Sequence, residues 1–505
     1  MSYMQYIVTA DEMKFYDGYA IEKIGMPALL LMERAAMEMA DVLSKYVRKG
    51  IRVIVFAGTG NNGGDALALG RILTARGAVV TFYMPGSESK ASKETKKQIS
   101  IIKNLGFSIL SNLPEAEYDI VIDGLFGIGL ARNITGKYAK AVESINNLKE
   151  KGALVAAVDI PSGIHADTGK IMGCSVEADI TVTFEYGKAG HYFYPGRTKM
   201  GKLFIRSIGL AGSAFEEKHP SYFSFGRDEV KQLLPERDPA GNKGTFGKVL
   251  LIAGNRNMAG AAILCGRSIM RMGAGMLKIL THSSNRNIIQ KSLPEALLDT
   301  YSKMPEEKQV DEAIAWADVI VAGPGLSKGD DTKALMTQIL KQGKMPMVID
   351  ADGLNLIAET EELKQAVKAY ERRKIVMTPH PGELIRLAGI DMEQYKENER
   401  AEVRKLAKDF GCIVVGKDAV TLASSPDVES VYMNLTGNDG MATAGSGDVL
   451  AGVIGGLLSQ HASFEAACLG ICLHGIAGDQ AAAKRSRYGV MASDIVEEIC
   501  KVLVR

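Results

Sequence analysis

Short runs of apolar and often β-branched residues alternate with segments of helical periodicity along most of this chain. In its first part the apolar runs cover 51–56, 79–83, 120–122, 154–158 and 180–184, with helical segments at 66–76 and 137–148. Apolar strands that alternate with helices are typical of a mostly parallel sheet with helices on both faces. Ahead of them, 9–25 and 27–46 have the pattern of one or two amphipathic helices. Thr9 and Glu12 match a capping box at the start of the first helix.

A second system of apolar runs predicts another α/β domain downstream. Its runs cover 248–254, 277–280, 319–322, 347–349, 375–377 and 413–415. The glycine-rich motifs of the two systems differ in order and content, so the halves are not repeats of each other. The stretch 209–244 between them mixes glycine, proline and charged residues. We therefore predict two α/β domains, 1–217 and 218–505, with a boundary near Lys218.

The composition fits a large globular protein and gives no sign of a nucleic-acid or membrane partner. The chain has 505 residues, 46% of them hydrophobic and 24% charged, with a formal net charge of +1. This balance provides no electrostatic attraction to nucleic acid or to an anionic membrane. The first residues are polar, and no run reaches the ~20 apolar residues that span a bilayer, so we expect a cytoplasmic protein. We also expect a homo-oligomer, although no pattern fixes its number of subunits.

The six cysteines are sparse for this length. Cys468 and Cys472 have helical spacing, but no second pair of metal ligands stands near them. We therefore predict buried free thiols and no structural zinc site.

The turn after the first apolar run has the spacing of a dinucleotide-binding fingerprint, G-x-G-x-x-G from Gly58 to Gly63. Such a unit also needs an acidic residue about 20 positions further on, at the end of its second strand, to bind the ribose hydroxyls. Here the run 79–84 is followed by proline, glycine and serine. We therefore do not predict a hydride-transferring domain. The turn continues as NNGGD at 61–65, and a helix capped by Asp65 would explain part of this motif.

Two other strands of the first domain end in similar side chains. Asp123 follows the run 120–122, and Asp159 follows the run 154–158 and is followed by Ser162. Ligands bind at the carboxyl ends of the strands in open α/β sheets. Helix caps and turns use the same residue types, but three such strand ends together favour a binding site.

Four motifs of the first domain, LLMERAA at 30–36, NNGGD at 61–65, DGLFGIGLARN at 123–133 and VDIPSG at 158–163, resemble the NAD(P)H-hydrate epimerase family. The resemblance covers about residues 4–215, and Arg34 departs from the asparagine that is usual there. It implies a Rossmann-like three-layer α/β/α fold that acts on the R and S forms of 6-hydroxylated NADH or NADPH. The implied substrate-binding residues are Asn61, Asn62, Gly63, Gly64, Asp65, Gly127, Ile128, Gly129, Leu130, Ala131, Arg132, Asn133 and Asp159.

The same resemblance implies a potassium ion held by Asn62, Asp123 and Ser162, whose hard oxygens suit such an ion. Epimerisation at C6 requires proton transfer beside the carbinol, because hydroxide must leave and return or the ring must open. We predict that Asp159 is the general acid/base. Asp123 is the alternative, although a carboxylate neutralised by a cation is a poor base.

The most informative segment of the second domain is 438–460, in which AGSGD at 444–448 opens an apolar helix. Small residues leave a helix N-terminus open, so that its backbone N–H groups can bind a polyphosphate. Asp448 would lie in the first turn, where the helix dipole and N–H donors would keep it ionised and able to accept a proton. A glycine-rich turn capped by Asp448 is the simpler interpretation.

Six segments of the second domain, in their order, resemble the ADP-dependent NAD(P)H-hydrate dehydratase branch of the ribokinase-like superfamily over about residues 225–505. They are 244–275, 322–327, 350–355, 378–389, 416–422 and 438–460. The resemblance implies a ribokinase-like α/β fold with Asp448 as catalytic base and Gly445–Gly447 as an anion hole. The implied hydrate-binding residues are Gly325, His380, Pro381, Gly382, Glu383, Leu384, Ile385, Arg386 and Asp448. The implied nucleotide-binding residues are Lys417, Asp418, Ala419, Val420, Thr421, Asn438, Asp439, Gly440, Met441, Ala442, Thr443, Ala444, Gly445, Ser446 and Gly447.

The implied chemistry is transient phosphorylation of the C6 hydroxyl at the expense of ADP or ATP, followed by elimination. Phosphorylation turns a poor leaving group into a good one, and magnesium would bridge the nucleotide phosphates. Asp418 replaces the glycine that is common in the family, and a carboxylate near phosphates should impair or alter nucleotide binding. Asp439 replaces a proline, which costs loop rigidity. His380 lies between two prolines, so a structural turn competes with its implied role as a substrate contact.

We therefore predict a bifunctional metabolite-repair enzyme whose first domain interconverts the R and S hydrates. The second domain would dehydrate the S form. One alternative is a ribokinase-like kinase for a vitamin precursor or sugar with a ligand-sensing first domain, against which the loop 378–383 argues. Another is a first domain that serves as a protein-interaction module, which would have no need of Asp123, Asp159 and the 61–65 motif.

Overall fold

The computed structural model describes residues 4–210, 212–227, 229–234 and 236–503. The chain divides into two compact units. The first runs from Tyr6 to Tyr222, and the second holds the described residues from Phe223 onward together with Met4 and Gln5. Each unit has its own sheet.

The elements of the first part of the chain alternate between strand and helix, as the apolar runs predict. The strands are β1 (Met4–Val8), β2 (Arg52–Ala57), β3 (Val79–Tyr83), β4 (Ile109–Leu110), β5 (Ile120–Gly124), β6 (Leu154–Val158), β7 (Ile180–Phe184), β8 (Gly187–Lys188) and β9 (Lys202–Arg206). The helices are α1 (Ala10–Glu22), α2 (Ala28–Leu43), α3 (Asn61–Ala75), α4 (Lys93–Asn104) and α5 (Gly136–Glu150).

Seven of these strands form a parallel sheet in the order β4-β3-β2-β5-β6-β7-β9. One apolar core packs α1 to α4 against one face, and a second packs α5 against the other. The predicted three-layer arrangement is therefore confirmed. The capping box at Thr9 and Glu12 is also present. Strand β9 lacks a fully buried face and was not predicted.

The start of α3 differs from the prediction. The helix begins at Asn61 and its N-cap is Gly60, so the motif 61–65 forms the first turn of the helix. The prediction that Asp65 caps the helix is therefore wrong. The fingerprint glycines are also not needed for positive φ. A Cβ at Gly58 would lie 1.9 Å from the carbonyl oxygen of Leu125, and one at Gly63 would lie 1.9 Å from that of Gly58. Close packing therefore requires these glycines.

The second unit has the same alternation over a longer segment. Its strands are β10 (Tyr222–Phe225), β11 (Lys248–Ile252), β12 (Met276–His282), β13 (Leu297–Tyr301), β14 (Val319–Ala322), β15 (Met347–Ile349), β16 (Ile375–Met377), β17 (Ile413–Gly416), β18 (Leu422–Ser424) and β19 (Val431–Met433). Its helices are α6 (Ala259–Arg271), α7 (Arg286–Ser292), α8 (Glu307–Trp316), α9 (Asp330–Gln342), α10 (Asp352–Glu359), α11 (Glu361–Ala369), α12 (Pro381–Ala388), α13 (Met392–Glu397), α14 (Glu399–Phe410), α15 (Ser446–Leu457), α16 (Ser463–Arg485) and α17 (Ala492–Val502).

The sheet of the second unit runs in the order β13-β12-β11-β14-β15-β16-β17-β18-β19-β10. It is parallel from β13 to β17, and β18 and β19 continue it in antiparallel fashion. All six predicted runs lie in this sheet. Cys265, Cys412, Cys468 and Cys472 are buried free thiols as predicted, whereas Cys174 and Cys500 are half-buried. Within the described ranges, no helix combines the length and the apolar character needed to cross a bilayer.

Candidate active sites

The first unit contains a cavity of about 470 Å³ where β2, β5 and β6 end. Apolar side chains of α1 and α2, among them Met13 and Leu31, form part of its wall. Charged side chains of Asp17, Asp159 and Lys188 form another part. The cavity therefore offers both apolar and ionic contacts to one ligand, as small-molecule sites in proteins do.

The sequence predicted many of the residues in this cavity. The predicted residues that line it are Asn61, Asn62, Asp65, Gly127, Ile128, Gly129, Leu130 and Asp159. Gly63 and Gly64 are buried beneath it against backbone and Met32. The exposed residues Ala131, Arg132 and Asn133 lie outside its lining.

Lys188 is the main residue of this site that the sequence did not reveal. Its Nζ donates to Asp159 Oδ1 at 2.6 Å and to Thr183 Oγ1 at 2.8 Å. Its side chain is 1% exposed and that of Asp159 is 13% exposed. Burial alone would raise the pKa of Asp159, but the Lys188 ammonium and the hydrogen bonds lower it below its ordinary value. Asp159 is therefore held as a carboxylate.

The backbone at Asp159 is held in an unusual conformation. Its φ is 65°, which is rare for a residue with a side chain. His191 Nδ1 accepts a hydrogen bond from the Lys188 N–H at 3.0 Å, so its proton lies on Nε2, which donates to the Asp159 carbonyl at 2.9 Å. Burial and the Lys188 charge lower the His191 pKa to about 4, so the imidazole is neutral. Strain of this kind is typical of functional sites.

Two other carboxyl groups of the cavity, those of Asp17 and Asp65, have raised pKa values. Burial raises the pKa of Asp17 to about 6, with Lys188 opposing and Asp159 reinforcing the shift. Burial and the carboxylates of Asp159 and Asp17 raise the pKa of Asp65 well above its ordinary value. The site therefore combines a stabilised carboxylate, that of Asp159, with the carboxyl group of Asp65, which retains its proton. Separation of this kind assigns acid and base roles.

The three residues predicted to hold potassium meet around the turn after β5. Ser162 Oγ donates to Asp123 Oδ1 at 2.6 Å and accepts from the Phe126 N–H at 2.9 Å. The Asn62 side chain packs against Gly127, and its buried Nδ2 has no hydrogen-bond partner. Turning this amide over would present its oxygen in that place, because amide oxygen and nitrogen are assigned from their partners. These oxygen donors fit a monovalent cation.

The second unit presents the N-terminus of α15. Its N-cap is Gly445, with a φ of 88° that favours glycine, and a Cβ there would lie 2.5 Å from a methyl group of Leu264. A Cβ at Gly447 would lie 3.3 Å from Lys417 Nζ. Asp448 is in the first turn and is not the cap, so the simpler interpretation is wrong. The first amides of a helix have no partner within it, and the glycines at 445 and 447 leave them open to an anion.

The pKa of Asp448 is shifted in the direction opposite to the prediction, which was that the helix N-terminus would favour the ionised form. Burial raises its pKa to about 6, and the Asp350 carboxylate reinforces this while Lys417 opposes it. Lys417 Nζ is 2.7 Å from Asp350 Oδ1, and the Asp350 side chain is buried. Burial therefore raises the pKa of Asp448 although the residue lies in the first turn of α15. A carboxylate with a pKa near 6 is a stronger base than an ordinary aspartate and is still ionised at neutral pH.

His380 and Glu383 form a capping box at the start of α12. The Gly382 N–H donates to His380 Nδ1 at 3.0 Å, and the His380 N–H donates to Glu383 Oε2 at 2.9 Å. Burial raises the pKa of Glu383 to about 7, and burial and the Lys417 charge lower that of His380. The proposed hydrate loop is thus fixed by its own side chains. His380 therefore has the structural role in the turn that the sequence left open.

Asp418 does not present an unpaired charge. Lys396 Nζ donates to its Oδ2 at 2.6 Å and to Glu399 Oε1 at 2.8 Å. The Ala419 N–H donates to Asp418 Oδ1 at 2.7 Å. The expected repulsion of phosphates is therefore reduced, because an ammonium group lies directly on the carboxylate.

Comparisons with known proteins cover both units. A family model described as YjeF-related protein N-terminus matches residues 28–190, and one described as NAD(P)H-hydrate dehydratase matches residues 249–501. The solved structure of a ribokinase-like superfamily protein from Enterococcus faecalis V583 is 27% identical and covers 55% of this chain and 94% of its own, with a TM-score of 0.50. The predicted ribokinase-like fold of the second unit is confirmed.

Relatives also align along nearly the whole chain. The bifunctional NAD(P)H-hydrate repair enzyme Nnr of Thermofilum pendens is 33% identical over 98% of this chain and 96% of its own length. The enzyme of the same name from Escherichia coli is 32% identical over 98% of this chain and 93% of its own length. With both units matched in order, the chain belongs to the family of bifunctional NAD(P)H-hydrate repair enzymes.

Proposed function

We propose that this enzyme repairs hydrated NADH and NADPH, with epimerisation in residues 1–217 and ADP- or ATP-dependent dehydration in residues 218–505. The proposal is carried by the presence of two different sites in one chain. One is a cavity whose carboxyl groups have pKa values shifted in opposite directions, and the other is a glycine-lined helix N-terminus. Relatives that align with both units are named as repair enzymes. Each site supplies groups that one of the two reactions needs.

In the first site, the acid and the base are different carboxyl groups. Asp65, whose raised pKa keeps it protonated, donates its proton to the C6 hydroxyl as the C6–O bond breaks and water leaves. The resulting cationic ring is stabilised by the Asp159 carboxylate. Water then adds to the other face of C6, and Asp159 accepts its proton. Proton exchange with water returns both carboxyl groups to their starting forms. Lys188 and Thr183 orient Asp159 and keep it ionised.

A monovalent cation belongs to this proposal. Asn62, Asp123 and Ser162 would hold potassium, which when bound would supply a fixed positive charge to the site. The orphaned amide of Asn62 supports this assignment. The rest of the proposed contact set is Asn61, Gly63, Gly64, Asp65 and the segment 127–133.

In the second site, Asp448 accepts the proton of the C6 hydroxyl while that oxygen attacks the terminal phosphorus of the nucleotide. The anhydride bond breaks, and its oxygen leaves on the shortened nucleotide. Phosphate then leaves C6 and a proton passes from C5 to water, which restores the dihydropyridine. The amides at 445–447 stabilise charge on the transferred group, and magnesium bound with the nucleotide would neutralise its phosphates.

A coupled assay tests both assignments. Purified wild type receives mixed hydrates with ADP or ATP and magnesium, and absorbance at the NADH wavelength is followed. Asp448→Asn should abolish all dehydration. Asp159→Asn should consume the S hydrate and then depend on slow spontaneous conversion of R to S. No recovery of absorbance by wild type refutes the proposal, and equal consumption of both isomers by Asp159→Asn refutes the role of Asp159.

Two further points remain part of the proposal. We propose a homo-oligomer, which light scattering on the purified chain tests, and a cytoplasmic location, which fractionation tests. A stable phosphorylated sugar or vitamin precursor in the assay would instead favour a kinase.

A further inference from the structure

One face of α16 holds the segment 436–441, which begins the proposed nucleotide loop. Asp479 Oδ1 accepts a hydrogen bond from Asn438 Nδ2 at 2.8 Å, and its Oδ2 accepts one from the Gly437 N–H at 3.1 Å. The guanidinium of Arg227 also donates to Oδ2. The side chain of Asp479 is 18% exposed, so three donors converge on a largely shielded carboxylate.

The same face of α16 lets the loop approach closely. A Cβ at Gly475 would lie 2.2 Å from Thr436 Oγ1, and one at Gly478 would lie 2.2 Å from the sulfur of Met441. Thr436 Oγ1 also donates to the Cys472 carbonyl at 3.0 Å. Positions three and seven residues apart share a helix face, so these contacts and Asp479 form one support.

The support determines what Asn438 can do. With Nδ2 bound to Asp479, its Oδ1 accepts the Gly440 N–H at 3.0 Å and caps the short helical turn Asp439–Met441. Both ends of the amide are therefore used to shape the loop that leads to Gly445. Asp439 lacks the backbone restriction of proline, and the contacts with α16 restrict the loop in its place.

We propose that Asp479, held by Arg227, is a positioning residue that fixes this loop for binding a nucleoside diphosphate or triphosphate. The proposal rests on the nucleotide-dependent function proposed above and deepens it. Asp479 acts through Gly437 and Asn438 and needs no contact with the nucleotide. Arg227 lies two residues after the end of β10, so the segment that enters the second unit would also support its nucleotide site.

Calorimetric titration of the full chain with magnesium ADP and with magnesium ATP tests this directly. Asp479→Asn keeps the shape of the side chain but removes its charge, and we expect about a tenfold rise in Kd for both nucleotides. Arg227→Ala, a half-exposed position that should fold normally, should raise Kd about threefold, and Arg227→Lys should recover part of the loss. In turnover, the KM for nucleotide should rise by the same factors while kcat at saturating nucleotide changes less than about twofold.

Glu498→Gln is the matched control. Glu498 is also a shielded acid tied to α16, through Lys484 at 2.5 Å, but it does not touch the loop. This variant should bind nucleotide like wild type, and R-to-S conversion should be unchanged in all variants. Wild-type Kd in Asp479→Asn refutes the positioning role alone. If wild type binds nucleotide but does not dehydrate hydrates, only the proposed function fails, and if wild type binds neither nucleotide both fail.

Discussion

Lys188 donates to the carboxylate of Asp159 at 2.6 Å inside the cavity of the first unit, and both side chains are shielded from water. This buried ion pair has two effects on Asp159. It keeps Asp159 ionised and it fixes the direction of its carboxylate, because the same ammonium also binds Thr183.

Lys188→Met should therefore abolish most epimerisation. Without the ammonium, burial raises the pKa of Asp159, and the carboxylate also loses the hydrogen bond that orients it, so it no longer acts as an efficient base. We expect at least a hundredfold loss in the R-to-S rate, measured with S-specific dehydration as the readout, since one general base contributes about 10²–10⁴-fold.

The control is Lys199→Met, which removes a more exposed lysine paired with Glu177. This variant should keep its rate. Loss of one partner of a buried pair costs about 3–5 kcal/mol of unfolding free energy, so thermal unfolding of both variants must be compared. A folded Lys188→Met with the wild-type rate contradicts the role of Lys188.

Dehydration should fall as the pH drops below about 6, because the base Asp448 has its pKa raised to that value. The rate at saturating substrates should be flat above pH 7 and should decline about tenfold for each pH unit below the pKa. The free energy of unfolding should change with pH in the opposite direction. The folded pKa lies above the ordinary value of 3.8, so the contribution of Asp448 to stability is lost as the pH rises from about 4 to 6.

Asp448→Asn should consequently raise the midpoint of thermal unfolding at pH 8 while abolishing turnover. At pH 4 the two proteins should unfold at similar temperatures. Scanning calorimetry at both pH values checks this, and a lower midpoint for the variant at pH 8 would show that Asp448 is not a strained base.

Asp418→Gly should not improve nucleotide binding, although it restores the residue that is common in the family. The carboxylate is already neutralised by Lys396, and its removal leaves that lysine with Glu399 alone and unties the loop. We expect Kd to rise about threefold by titration, the cost of one charge-assisted hydrogen bond at a partly exposed site.

Lys396→Ala, which uncovers the Asp418 charge, should weaken binding more than Asp418→Gly does. Lys405→Ala on the exposed side of α14 serves as the control and should have no effect. Tighter binding by Asp418→Gly would mean that the carboxylate repels phosphates despite Lys396.

Removing potassium should slow epimerisation and leave dehydration unchanged. Dialysis into a tetramethylammonium buffer, followed by titration with potassium chloride, should restore the R-to-S rate with saturation. Ser162→Ala should shift this titration to higher potassium, because it removes an oxygen next to Asp123. Ser144→Ala on the exposed surface of α5 should not, and a rate independent of potassium in wild type would argue against the cation site.

The fold was largely predictable because most positions of its central strands are apolar and buried. The runs at Val79–Tyr83, Leu154–Val158 and Ile180–Phe184 match the strands to the residue. The start of α3 was not predictable from propensity, since glycine and asparagine are poor helix formers. Packing against Leu125 fixes that turn instead.

The site residues that the sequence predicted lie directly after strands of the sheet. The site residues that it missed, Lys188 and Asp17, lie elsewhere. Lys188 follows β7 by four positions, and lysine at that place usually extends into solvent. Asp17 lies in the middle of α1, where no strand end or glycine-rich turn marks it as a site residue. Only the folded chain shows that Asp17 and Lys188 reach Asp159.

The glycines of the first turn have a wider consequence. No side chain fits at Gly58 or Gly63 because neighbouring carbonyl oxygens occupy the space. Selection for a tight β–α corner would preserve this spacing even in a chain that binds nothing. A genome survey that counts redox enzymes by three glycines alone would therefore include proteins such as this one, and requiring an acid after the next strand would remove them.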